Sequence, residues 1–111
     1  MKLFLFGGAE FGEAAAELKM IEWVIKSIAP KQLLHVPFAR TKDGWREERN
    51  GDWFGRNISI PEVEYLNANN PEDVAKAIDP VIFISGWKEH ENLINSINAN
   101  PKLAELIHNA S

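Results

Sequence analysis

The sequence predicts an α/β fold of three layers, a four-stranded and mostly parallel sheet flanked by helices. Three observations predict it. Short, uniformly apolar runs recur along the chain, of which Val81-Ile82-Phe83-Ile84 after Pro80 is the clearest. Such runs suit strands buried on both faces, as parallel sheets require. Segments of helical periodicity lie between them. The two kinds of segment alternate four times, the pattern of βαβ units.

The elements follow in order. Lys2 to Phe6 (KLFLF) is the first strand, closed by Gly7-Gly8. From Glu10 to Ile28, Phe11, Ala14, Leu18, Ile21, Val24 or Ile25, and Ile28 fall on one broad helical face, with Glu13, Glu17, Lys19, Glu22 and Lys26 around the rest. Glu22 and Lys26 form an i,i+4 pair with the acid first, the favourable orientation. Pro30 ends this helix. Gln32 to Phe38 (QLLHVPF) is the second strand, with Pro37 near its end, where a missing N–H does little harm.

Ala39 to Asn57 has no clear period: Trp45, Arg49, Trp53 and Phe54 could share a helical face, but Gly51 and Gly55 weaken it. Ile60 to Leu66 is a third, less hydrophobic strand, as expected near a sheet edge. Asn70-Pro71-Glu72-Asp73 is a helix start, with Asn as N-cap, Pro in the first helical position and acids in the first turn. That helix runs to about Ile78, and Asp79-Pro80 leads into the fourth strand. Lys88 to Ile97 carries Leu93, Ile94 and Ile97, and Asn100-Pro101 starts a last helix through Leu103, Leu106 and Ile107.

Right-handed crossovers in a doubly wound layout give the strand order 3-2-1-4, half of a flavodoxin- or Rossmann-like sheet. Strands one and four are then neighbours at the point where the order reverses. Their loops, Gly7-Gly8 and Ser85-Gly86-Trp87, meet at the carboxyl end of the sheet, where open α/β sheets bind ligands.

Bulk properties narrow the function classes. A chain of 111 residues is one domain on the length prior, residues 1–111, and buries roughly 65% of its unfolded surface. With 45% hydrophobic and 25% charged residues, the composition is that of a soluble globular protein. A net charge of −4 argues against nucleic acid as a partner, since phosphate binding usually leaves a basic excess. The sequence contains no cysteine, which removes disulfides and thiolate chemistry and is consistent with a reducing cytoplasm. No apolar stretch approaches the roughly 20 residues of a membrane helix. A cytoplasmic protein with no membrane partner is expected.

Each motif has a sharp and a plain reading. Gly7-Gly8-Ala9-Glu10-Phe11-Gly12 follows a strand and opens a helix, the context of a dinucleotide loop. Its spacing is G-G-x-x-x-G rather than G-x-G-x-x-G, it lacks the lysine and hydroxyl of a P-loop, and Glu10 opposes an anion. A tight turn is the plain reading, with Gly7 and Gly8 as ligand contacts the sharper one, and no cofactor is expected. Ser85 sits at a strand-to-helix turn, but a nucleophile elbow needs glycines two residues to either side and Phe83 and Trp87 occupy those positions. Ser85 therefore reads as a turn former or backbone donor.

His35, within an apolar strand, reads as a core histidine. His90, just past the Gly86 turn, is the better functional candidate, against a solvated helix face. The histidines are too scattered for a metal site. Trp45, Trp53 and Trp87 read as core or interface residues, or as aromatics at a site mouth. Arg46 to Arg49 looks like a mixed-charge solvated face, and the adjacent Glu47 and Glu48 point apart on a helix.

Several of these residues together resemble a known family. Leu33-Leu34-His35-Val36-Pro37-Phe38-Ala39, an apolar run ending in Pro-aromatic-Ala, resembles the second-strand motif of peptidase E-like proteins. Asp43, Trp45 and Phe54 are similar to the family's next segment. Val81 to Gly86 resembles its fourth strand with the glycine-rich turn, and Leu3 to Gly8 its first strand and loop. The resemblance spans essentially the whole chain and about the first half of such an enzyme.

These proteins are serine hydrolases, aspartyl dipeptidases and cyanophycinase relatives, on the fold of class I glutamine amidotransferases. The resemblance implies that Gly86 and the backbone of Trp87 supply oxyanion-hole N–H groups. Trp87 stands where the family has a further glycine, and Lys88 where it tends to have asparagine. The next strand and its Gly-x-Ser-Ala-Gly elbow would begin after Ser111, so the nucleophile and its histidine partner are not among these residues. The expectation is an incomplete hydrolase scaffold, a truncated frame or natural half-domain, inactive as a peptidase by itself. A non-catalytic module that binds a small peptide, amide or anionic ligand, or that serves in self-assembly, is the alternative, and a nucleotide binder through Gly7-Gly8 a weaker third. Strand four, lacking a fifth strand, is expected to offer an open edge and to form a two-fold dimer there or through adjacent helices.

Overall fold

The computed structural model describes residues 3–6, 14–39, 58, 60–86 and 90–110. The elements are β1 (Leu3–Phe6), α1 (Ala14–Ile28), β2 (Gln32–Ala39), β3 (Glu64–Asn67), α2 (Pro71–Lys76), β4 (Val81–Gly86), α3 (His90–Asn98) and α4 (Pro101–Ala110). Each strand and helix expected in these ranges is present, although β3 begins four residues later than Ile60. The segment from Arg40 to Asn57, with Trp45, Trp53 and the charged run between them, lies outside the described residues.

The sheet is parallel throughout and has the order β1-β4-β2-β3. This corrects the expected 3-2-1-4: β1 is the edge strand, and β4 lies between β1 and β2. Connection length gives the physical reason. Between β3 and β4 the chain has only the six-residue α2 for its crossover. The observed order asks it to cross two strand spacings, about 10 Å, where 3-2-1-4 would ask for three, about 14 Å. The two interior places fall to the strands with continuous buried runs, Leu33 to Phe38 of β2 and Val81 to Ile84 of β4. The less hydrophobic β3 is at the other edge, as expected.

Side-chain alternation sorts the core into two halves. Leu34, Val36 and Phe38 of β2 join Ile82 and Ile84 of β4 on one face, covered by Val74 of α2 and Leu103 and Leu106 of α4. Leu93 and Ile97 of α3 pack against the same cluster. Leu33 and Phe83 point to the other face, under Ile21 and Ile25 of α1, with Ile58 beside them. The fold therefore has three layers. The β1-to-β2 crossover lies on the α1 face and passes over β4, whereas the β3-to-β4 crossover runs the opposite way on the opposite face. Reversing both direction and face preserves hand, so the two crossovers obey one handedness.

Local chemistry sets the helix ends. In α2, Asn70 Oδ1 accepts the Glu72 N–H at 3.0 Å, with Pro71 opening the helix. In α4, Asn100 Oδ1 accepts the Leu103 N–H at 3.2 Å, ahead of Pro101. The α1 helix closes at Ala29, which adopts φ 51° and donates its N–H to Ile25 O at 2.8 Å. Glycine usually takes this left-handed position, because a Cβ there meets the neighbouring carbonyl. The Glu22–Lys26 pair forms at 2.7 Å, but both side chains are largely exposed and its contribution is small.

Gln32 is an anchor that sequence periodicity does not reveal. Its Nε2 donates to Glu64 Oε1 at 2.7 Å and to Lys76 O at 3.2 Å, and its Oε1 accepts the Ile78 N–H at 2.8 Å. One amide thus ties the start of β2 to β3 and supplies a donor for a carbonyl at the end of α2, where helical partners run out. At the far end of β3, Asp73 Oδ2 accepts the Asn67 N–H at 3.0 Å.

Ala29→Gly is expected to stabilise the protein by about 1 kcal/mol, the left-handed Cβ cost less the added freedom of the unfolded chain. Asn70→Ala should cost about 1 kcal/mol through the lost cap, and Gln32→Ala about 1–2 kcal/mol through unpaired backbone groups. Urea denaturation midpoints at constant slope check all three; an unchanged midpoint for Gln32→Ala would remove its anchoring role.

Candidate functional site

The sheet's parallel strands all present their carboxyl ends to the same side. β1 ends at Phe6, which registers with Ser85 of β4, so the two strands finish side by side. On its other flank, Gly86 registers with Ala39, the last residue of β2. The Ser85-Gly86 backbone therefore stands at the middle of the carboxyl end, with a strand terminus on either side. The expected juxtaposition of the β1 and β4 exits holds, although within a different strand order. Gly7, Gly8 and Trp87 lie outside the described residues.

Between β2 and β4 the register shifts. Val36 faces Ile84, yet Ala39 faces Gly86, so β2 carries one extra residue over this interval. Pro37 lies inside the irregular stretch, and its missing N–H is compatible with a break in the ladder. A bulge of this kind bends the strand and increases its local twist, and bulges are common beside functional sites. Pro37 is not only the harmless strand end that its position suggests: it coincides with the irregularity in the ladder.

Ser85 lies within β4, paired to Phe6, rather than on a turn. The chain leaves the sheet only after Gly86. The strand-turn-helix elbow that exposes a nucleophile is thus not built around Ser85: the residue two before it, Phe83, is a core residue only 3% exposed.

The histidines separate. His35 is 4% exposed in the interior of β2, registered between Phe83 and Asn67, which agrees with its reading as a core residue. His90 opens α3 and is exposed, on the same side of the sheet as the β4 exit. His108 is exposed in the last turn of α4. No group of three or more His, Asp or Glu able to hold a metal occurs among the described residues. Nor is any helix among them long and apolar enough to cross a membrane.

A concavity of about 520 Å³ opens at the opposite end of the sheet, between the end of α1 and the loop before β3. Ile25, Ile60 and Val63 contribute apolar lining, and Lys26, Lys31 and Glu62 contribute charge. Lys26 is engaged by Glu22. Two residues bordering this cleft, Ala29 and Glu62, have positive φ, 51° and 70°. No periodicity or motif of the sequence marks this cleft.

Set beside known proteins, the chain matches no family model, no curated protein and no solved structure. The site's chemistry consequently rests on geometry and residue type.

Burial predicts opposite outcomes for the two histidines nearest the site in sequence. His90→Ala should leave the urea midpoint within about 0.5 kcal/mol of wild type. His35→Asp should cost more than about 3 kcal/mol, because it places an uncompensated charge in the core. Equal tolerance of both substitutions would contradict the core placement of His35.

Proposed function

We propose that this chain is a peptidase E-like α/β scaffold whose carboxyl-end cleft binds a small peptide or amide and does not hydrolyse it unaided. One observation carries the reading: Gly86 stands at the middle of the carboxyl end of a parallel sheet, flanked by the ends of β1 and β2. Peptide N–H groups leaving such a strand are unpaired donors in the crevice where α/β sheets take ligands. In the related hydrolases implied by the sequence resemblance, donors at this place stabilise an oxyanion. Here the backbone of Gly86 and Trp87 would polarise an amide or carboxylate oxygen.

Acyl transfer also needs an activated nucleophile with a base in hydrogen-bond reach. Ser85, paired within β4 and without glycines two residues to either side, does not meet the elbow requirement. No Gly-x-Ser-x-Gly motif occurs in these 111 residues. Binding without turnover is the consistent reading, with the backbone of the Gly86 turn as its polar element and Gly7 and Gly8 as the expected contacts from the neighbouring strand.

Two measurements on the purified chain test this. An acidic dipeptide such as Asp-Leu should shift the amide resonances of Ser85 and Gly86, and saturation at about a hundred times Kd should stabilise the fold by about 2.7 kcal/mol. Hydrolysis of the same dipeptide should be undetectable. Turnover abolished by Ser85→Ala would place a nucleophile in this chain after all. Flat spectra with dipeptides, free amino acids and simple amides would remove the binding reading.

A further inference from the structure

The strand-four edge expected to pair with a second copy is closed, because β4 has β1 on one side and β2 on the other. Away from the carboxyl-end cleft, shape and unmatched charge come together in the concavity at the amino end of the sheet. Its volume, about 520 Å³, falls in the range of small-molecule sites. Its lining also has the form such sites take, an apolar floor with few polar groups. Ile25, only 1% exposed, closes the floor, and Ile60 and Val63 are half-buried in the wall. Lys31, just before β2, and Glu62, two residues before β3, are the exposed charges beside it.

Three features distinguish this cleft from an ordinary surface hollow. The first is charge. Lys26 is held by Glu22 at 2.7 Å, but neither Lys31 nor Glu62 makes an ion pair among the described residues, with the other or with a third group. The second is a fixed wall. The Glu64 N–H donates to Lys31 O at 2.9 Å, joining the two strand entrances, and the Ile60 N–H donates to Tyr65 Oη at 3.1 Å, pinning the turn. The third is backbone strain. Pro61-Glu62 forms a turn with φ 70° at Glu62, a place where glycine is the unstrained residue. Ala29, at the end of α1, is left-handed too, so two of the three such residues among those described border this cleft. Strain of this kind collects at ligand clamps. A glutamate at that position brings a carboxylate to the cleft at a backbone cost that glycine would avoid.

The geometry points to this cleft as a binding site for an aliphatic amino acid, with Lys31 taking its carboxylate, Glu62 its ammonium, and Ile25, Ile60 and Val63 its side chain. Charge complementarity selects the class. A simple anion would meet Lys31 but be opposed by Glu62 and by the carbonyl end of α1, the negative pole of that helix. A simple cation would be opposed by Lys31. A zwitterion satisfies both residues, and the helix end adds to the attraction for its ammonium. The amino end of the sheet lies away from the strand exits where α/β sheets place their chemistry, so the ligand is bound and not altered.

Leucine titrated into the purified chain, followed by methyl and amide resonances, tests the proposal. Saturable shifts are expected at Ile25, Ile60 and Val63, with Ser85 and Gly86 unmoved, which separates this site from the carboxyl-end cleft. Isocaproate and isoamylamine each keep the aliphatic body and one charge, and should bind about five- to tenfold more weakly than leucine. Lys31→Gln should weaken leucine by about the same factor and leave isoamylamine unchanged. Glu62→Gly should weaken leucine as well, yet raise the urea midpoint, because it relieves the left-handed φ. Shifts that are absent or unsaturated at the solubility limit of leucine would overturn the proposal. Equal binding of leucine and its single-charge analogues would also overturn it, leaving only an apolar hollow, as would leucine shifts confined to Ser85 and Gly86. Unchanged leucine affinity in either variant would remove that residue from the site and with it the recognition of a zwitterion.

Discussion

The fold depends on burying one strand from every direction. Val81 to Ile84 presents large apolar side chains to both faces of the sheet, and none of them is more than 7% exposed. A strand of that composition is stable only where helices cover both faces and other strands cover both edges. Ile82 and Ile84 are met by α2 and α4, and Phe83 by α1, which is why crossovers are needed on opposite faces. Once both faces carry a crossover of the same hand, the chain must reverse its direction of travel along the sheet. That reversal returns β4 to a place between the two strands laid down first.

How much of this was legible in the sequence follows the range of the forces involved. The caps at Asn70 and Asn100 were readable because each involves residues two or three apart, with the proline supplying the helical φ in advance. The core face of α1 was readable from period as far as Ile21, whereas the choice between Val24 and Ile25 was left to packing, which buries Ile25. The order of the strands was not, because periodicity makes every apolar strand look central. Connection length does discriminate, and the brevity of the segment around α2 was visible in the chain. Gln32 shows the opposite limit: its partners are Glu64, Lys76 and Ile78, 32 to 46 positions away, and nothing local marks an amide for that role. The candidate site was legible in part. Adjacency of the β1 and β4 exits follows from both strand orders, so it survived an error in topology. The bulge at Pro37 and the in-strand position of Ser85 required the register.

Placing β4 at the centre changes what its carboxyl end can do chemically. At the sheet margin, the Gly86 turn would have been held from one side and open to rearrangement. Between β1 and the bulged end of β2, Ser85 is paired to Phe6 on one flank and Gly86 to Ala39 on the other. Donors fixed before a ligand arrives cost little to reorganise, which is the condition under which backbone N–H groups stabilise charge well. The same rigidity disfavours Ser85 as a nucleophile, since an extended, paired strand residue is not the strained turn that lifts a hydroxyl into a cleft.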